Sequence, residues 1–233
     1  MPTTVVAALV ADGTYPDPYF GDNLRQIPGE TYAIGKNFSH MPIPKESPFH
    51  CSWWYRDTFE ANPSDGEHIW LHFRGINNHA NIWVNAHKIA DEKDIAGAYR
   101  TYDFDVTSYV SHSGPNVLAV ETIAQSEKDL GINWVDWNPA PPDKDMGLWR
   151  GVSVQTTGPI IIGHPQVITH FPDPSLARAD LTVDTELRNS SEQPVTGTLQ
   201  ASLENLRLTQ EVTLKPREIR SVRFTPDQFP ELR

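Results

Sequence analysis

The segment from His68 to Gly75 alternates Ile69, Leu71 and Phe73 with His68, Trp70, His72 and Arg74. A period of two places the first set on one face of a strand and the second on the other, as in a half-buried antiparallel sheet. Similar runs recur at 81–86, 102–106, 116–123 and 151–156, separated by clusters of Gly, Pro, Asn and Ser. That spacing is the signature of a sandwich. Seven Trp, seven Tyr and nine Phe beside 20 Pro and 14 Gly favour the same reading, short strands punctuated by turns. The chain is therefore expected to be all-β. One short helix is expected at 3–10, with Thr3 or Thr4 as its cap and Gly13 at its end.

The texture changes at Gly158-Pro159. All seven Trp precede it, and plainer strands follow at 180–187, 197–203, 207–214 and 219–224. Two domains are expected, 1–158 and 159–233. The second has fewer strands than the ~7 strands and ~100 residues of a complete immunoglobulin-like sandwich, so it is expected to be incomplete.

Composition excludes several classes. The 30 acidic and 19 basic residues leave a formal charge of −11, which opposes a phosphate backbone and argues against nucleic acid as a partner. No apolar run approaches the ~18–20 residues that cross a bilayer, so no membrane partner is expected. Cys51 is the only cysteine, which removes internal disulfides and cysteine-based zinc clusters. His68 and His72 have the spacing of helical zinc ligands, but on a strand they stand ~13 Å apart, too far for one ion. Asp143-Lys-Asp145-Met-Gly147 lacks the remaining ligands of a calcium loop. No metal and no cofactor is expected. Pro2, Thr3 and Thr4 after Met1 show no signal-peptide pattern, so either a cytoplasmic protein or a start that is not the natural one is expected.

Several motifs follow one another in a familiar order: Tyr55-Arg-Asp-Thr-Phe59, His72-Phe-Arg-Gly-Ile76, Ala80-Asn-Ile-Trp-Val-Asn85, Gly97-Ala-Tyr99, Phe104-Asp-Val-Thr107, Asn116-Val-Leu-Ala-Val120 and Gly147-Leu-Trp-Arg150. The order resembles the sugar-binding domain of glycoside hydrolase family 2. Trp134-Val-Asp-Trp-Asn-Pro-Ala-Pro-Pro-Asp-Lys-Asp-Met-Gly-Leu-Trp-Arg150 most resembles the exo-β-glucosaminidase branch, with β-mannosidases and endo-β-mannosidases as neighbours. The resemblance implies a jelly-roll (galactose-binding-like) β-sandwich, then an immunoglobulin-like β-sandwich, then a catalytic (β/α)₈ barrel. It also implies secretion or a periplasmic home.

The chain departs from the family in three respects. Asn85-Ala86 stands where members carry Asn-Gly, so the hairpin turn is expected to shift by a residue or change type. Members have further strands before the segment like 2–10, so the chain is expected to be truncated at both ends. A barrel needs ~250 residues, more than the whole chain, so the barrel is missing. With it go both glutamates that the family uses as acid/base and nucleophile, and no catalytic residue is expected here.

The candidate binding residues lie in the Trp-rich segment. Asp136 sits between Trp134 and Trp137, in a stretch too irregular for a strand. Two indoles offer flat faces to a pyranose, and a carboxylate accepts bonds from two hydroxyls. By resemblance to β-mannosidases, a loop of the first domain reaches into the barrel mouth. Asp136 would there grip the terminal β-linked glucosamine or mannose, with Trp134, Trp137 and Asn138 lining the pocket. A retaining glycosidase needs two carboxyls about 5–5.5 Å apart, and Asp143 and Asp145 are read instead as solvated turn residues after Pro141-Pro142. Trp53-Trp54 could form a surface sugar platform or lie half in the core. Arg56, Arg74 and Arg150 are read as structural, and Asn37-Phe-Ser39 and Asn189-Ser-Ser191 as chance matches to glycosylation acceptors.

The chain is thus expected to be the non-catalytic N-terminal part of an exo-acting retaining β-glycosidase, with carbohydrate and the missing barrel as its partners. The alternatives are a free-standing carbohydrate-binding module, which would bind an oligosaccharide alone, and a structural β-sandwich, in which Trp134 and Trp137 would be buried.

Overall fold

The protein is described from a computed structural model that covers residues 2–29, 36, 38, 40–135, 138 and 140–233. It divides into two compact units. One comprises Met1–Pro63 with Ile69–Gln155, the other Ser64–His68 with Thr156–Arg233. Among the described residues fifteen strands follow in chain order: β1 (Thr3–Thr4), β2 (Trp53–Phe59), β3 (His68–Phe73), β4 (His79–Val84), β5 (His87–Ala90), β6 (Tyr102–Asp105), β7 (Asn116–Ile123), β8 (Gly147–Leu148), β9 (Val152–Thr157), β10 (Ile160–Ile162), β11 (Gln166–His170), β12 (Asp180–Asn189), β13 (Val195–Leu203), β14 (Leu206–Leu214) and β15 (Ile219–Phe224). Helix α1 spans Val5–Ala11.

In the first unit, two sheets ordered β2-β7-β4-β5 and β6-β3-β9 face each other. The alternation in β3 and β4 decides which side chains meet between them. Ile69, Leu71 and Phe73 from β3 pack against Ala80, Ile82 and Val84 from β4 and Leu118 and Val120 from β7, all buried. Each large apolar side chain removed from water here contributes roughly 1.5–3 kcal/mol. The opposite face of β3 is less open than its alternation suggests, because Trp70 is also buried, in the central strand of its sheet.

Helix α1 forms where expected. Thr4 caps it, its hydroxyl accepting a 3.3 Å bond from the Ala7 amide, and the backbone turns away at Gly13 with φ 85°. Thr3 and Thr4 do not cap jointly, since both also pair with Leu148 and Gly147 as β1 against β8. The helix buries Val5 and Val6 in a small second core with Ile27, Ile43, Phe49 and Met146.

The hairpin between β4 and β5 keeps a two-residue turn. Val84 pairs with His87, and Asn85 and Ala86 both take positive φ, 47° and 67°. That is the backbone of a type I′ turn, so Ala86 neither shifts the turn nor changes its type. Asn85 holds the corner in place: its amide donates to the Tyr109 carbonyl and to Asn116 Oδ1, and its Oδ1 accepts from the Val117 amide.

In the second unit, β12 pairs with β10 and β11 along one edge and with β15 along the other, while β13 and β14 form a hairpin. Leu187, Val222 and Phe224 from the sheet meet Leu199, Leu208, Val212 and Leu214 from the hairpin in a buried core. Asn189 is fully buried there, and its amide donates to the Gln193 and Lys215 carbonyls. No glycan can reach it in the folded unit. Asn37 and Ser39 lie outside the described residues.

Candidate sugar-binding loop

Between the end of β7 at Ile123 and the start of β8 at Gly147 the described residues form no helix or strand. A loop of this length inside a sandwich is unusual unless it has its own supports or a function. Its supports are a row of polar side chains. His79, on β4, meets the Ile95 carbonyl through Nδ1 at 2.8 Å and Asp129 through Nε2 at 3.3 Å. The Ser126 amide donates to Asp129 at 2.7 Å. Burial opposes ionisation of Asp129, but the Ser126 amide and hydroxyl and the nearby His79 outweigh it and hold its carboxyl below the usual range.

Asn77 is the second support. Its side-chain amide donates to the Lys144 and Asp145 carbonyls, both at 2.9 Å, and its Oδ1 accepts from the Ile132 amide at 3.2 Å. Its backbone also exchanges two 2.9 Å bonds with Gly147. Gln125 adds a second bond to the Lys144 carbonyl at 2.8 Å. One buried asparagine thus holds the loop at Ile132 and again at Lys144 to Gly147, and each bond is worth more for being made away from water.

Asp143 is the third support, and here the structure corrects the reading of a solvated turn. The residue is fully buried. Its carboxyl accepts from the Val6 amide at 2.7 Å and from the Asp145 amide at 2.9 Å. Burial pushes its pKa up to about 7, and the neighbouring Asp145 charge adds to the rise while the Val6 amide opposes it. Asp145, half-buried, is raised by burial as well. Tyr55, across from them, donates to the Thr3 carbonyl at 3.0 Å and is raised by burial and by Asp143. Nothing in Asp-Lys-Asp after two prolines marks this burial, since the partners, Val6 and Tyr55, are remote in sequence.

The residues expected to bind sugar fall as follows. Trp134 is half-buried and lines a crevice of about 20 Å³ beside Phe38, Met41, Pro44 and Pro142. That is room for a water rather than a pyranose. Asn138 is exposed. Asp136 and Trp137 lie outside the described residues. Trp149, at the far end of the motif, is half-buried: its Nε1 donates to the Ala98 carbonyl at 2.8 Å, and the Arg150 guanidinium covers its ring at 4.1 Å. Among the described residues no cluster of three or more His, Cys, Asp or Glu is placed to hold a metal ion. His72 meets Asp103 at 2.7 Å. No described helix is long and apolar enough to cross a membrane.

Comparisons with known proteins agree with this architecture. Residues 46–133 match the glycosyl hydrolase 2 galactose-binding domain-like family. The chain is 36% identical to an exo-β-D-glucosaminidase of Streptomyces avermitilis over 99% of its own length and 24% of that protein's. It is 28% identical to a mannosylglycoprotein endo-β-mannosidase of Lilium longiflorum, over 82% of this chain and 20% of that one. The crystal structure of an exo-chitosanase from Amycolatopsis orientalis superposes with a TM-score of 0.81 at 30% identity, covering 96% of this chain and 24% of that one. The chain thus spans about a quarter of the length of the relatives it matches. It belongs to glycoside hydrolase family 2 and corresponds to the N-terminal, non-catalytic portion of that family's exo-β-glucosaminidases and β-mannosidases.

Proposed function

We propose that the chain serves an exo-acting, retaining β-glycosidase of the exo-β-glucosaminidase type, presenting its loop at 124–147 to the outermost sugar of the substrate. The single observation that supports this most is the bracing of that loop. Asn77, Gln125, His79 and the Val6 amide hold the described parts of the segment on either side of 136–137, and such bracing lowers the ordering cost of binding a sugar there. Asp136 would accept bonds from sugar hydroxyls, with Trp134, Trp137 and Asn138 lining the pocket. The relatives of this type supply the substrate class, a terminal β-linked glucosamine.

In this reading the domains of the chain are the 1–158 sandwich and the 159–233 sandwich, and the two catalytic glutamates come from a barrel elsewhere in the polypeptide. In this reading the chain alone hydrolyses nothing, because the acid/base and the nucleophile lie in the barrel. Its holoenzyme acts outside the cell or in the periplasm, where polymeric amino sugars are met. The test is kinetic. In a version carrying the barrel, Asp136→Ala should lower kcat/KM by about two orders of magnitude or more, with the melting temperature unchanged. Turnover equal to that of the unsubstituted enzyme removes Asp136 from the role.

A further inference from the structure

The two adjacent tryptophans at the start of β2 point to opposite faces, and only one of them is absorbed by the core. Trp53 is half-buried against Phe49, and its Nε1 donates to the Pro48 carbonyl at 3.1 Å. Trp54 points outward and remains 58% exposed. Leaving an indole in water forfeits much of the largest burial a side chain can offer, so such a ring on a sheet face signals an interaction surface.

What surrounds Trp54 is ordered. It pairs across the sheet with Glu121 on β7, which pairs in turn with Asn81 on β4. The small side chain of Ala119 leaves room over β7 for Trp54 to meet Trp83, with ring centroids 5.0 Å apart and planes tilted by 30°. The Lys88 ammonium sits 5.3 Å from the Trp83 ring and occupies that indole. The Glu121 carboxyl is held at both oxygens: the Ser52 hydroxyl donates to one at 2.8 Å and the Asn81 amide to the other at 2.9 Å. Asn81 is itself fixed, because its Oδ1 accepts from the Glu92 amide at 3.2 Å.

We propose that the outer face of the β2-β7-β4-β5 sheet is a carbohydrate-binding surface, separate from the 124–147 loop, on which Trp54 stacks against one residue of a β-1,4-linked glucosamine oligomer. The substrate class rests on the function proposed above. The chemistry matches at each point. A glucosamine ring has all its substituents equatorial, so it offers a flat, C–H-lined face to the electron-rich face of the free indole. Glu121 stands beside that indole with lone pairs still open to accept from the sugar's hydroxyl or ammonium group. Lys88 occupies the Trp83 end and Arg56 is also exposed on this face, so the ammonium is placed at the Glu121 end of the platform. The chain's net charge of −11 favours approach of a cationic oligomer.

The experiment is calorimetric titration of the chain with glucosamine hexamer, alongside the indole N–H signals in NMR spectra. Saturable binding is expected, with the Trp54 signal shifting first. Trp54→Ala should weaken binding by about tenfold or more, and Trp54→Phe should restore most of it. Glu121→Gln should weaken the glucosamine hexamer more than the neutral glucose hexamer. Absence of binding by the unsubstituted chain overturns the proposal. So does a Trp54→Ala chain that binds as before, or loss of binding in Asp136→Ala with Trp54→Ala silent; that last result leaves the loop reading intact. Conversely, if Asp136→Ala leaves kcat/KM of a barrel-bearing enzyme unchanged, the loop reading fails while the titration still decides the platform. Trp54→Ala lowering only the melting temperature of the longer enzyme, with no hexamer binding by the chain, assigns the face to domain packing and overturns the proposal.

Discussion

The Asp143 carboxyl accepts a 2.7 Å hydrogen bond from the backbone amide of Val6, joining positions 137 residues apart. This bond closes one end of the 124–147 loop onto helix α1. It also makes a buried carboxyl group part of the loop's support, with consequences that can be measured.

Native Asp143 keeps its proton up to about pH 7, whereas an unfolded aspartate releases it near ~3.9. Between those values the native state binds more protons than the unfolded state, so this residue's contribution to stability falls as pH rises and then levels off. Thermal unfolding of the first unit should therefore occur at lower temperature near about pH 8 than near about pH 5. Asp143→Asn should lose less over that interval, because its side chain does not ionise. A variant with the same pH slope as the parent would show that the slope arises elsewhere.

Gly147 sits at φ 139°, and a Cβ there would run into the Tyr55 hydroxyl and come within 2.9 Å of the Thr3 carbonyl. Both the backbone and the space demand glycine. Gly147→Ala should cost about 3 kcal/mol or more in denaturant unfolding, as expected where strain and overpacking combine. Gly151, whose Cβ position is open, provides the control: Gly151→Ala should change stability little.

Asn77→Ala removes three side-chain bonds at once and leaves the Lys144 and Asp145 carbonyls and the Ile132 amide without those partners. The expected cost is roughly 1–3 kcal/mol. Its distinguishing mark is local: amide hydrogen exchange should accelerate across 130–146 while β12 to β15 keep their protection.

Ala86 holds a left-handed backbone that glycine adopts freely. Ala86→Gly should raise stability by about 1 kcal/mol, the cost of that conformation for an alanine. An unchanged or lowered denaturation midpoint would show that the Asn85 anchors already cancel the strain.

The strands most legible in the chain are those with one dry face. β3, β4, β7 and β12 to β15 each carry several apolar residues at a period of two, because one of their faces must be dry. The strands not read as such are short or exposed. β5 and β10 are brief, and β11 is exposed throughout, so none of them carries a usable alternation. β1 and β8 have two residues each, too few for any pattern.

The all-β class, the change of texture near Gly158 and the motif order of the family are all legible in the order of the amino acids. That is so because periodicity, turn residues and short motifs are local, and they act wherever the chain goes. Folding settled the rest: Asp143 is buried rather than solvated, Asn77 holds a loop at Ile132 and at Lys144, and Trp54 rather than Trp53 faces outward beside Glu121. Those outcomes depend on which distant backbone groups arrive at a side chain, and a carboxyl beside a remote amide carries no mark of that meeting in its own neighbourhood.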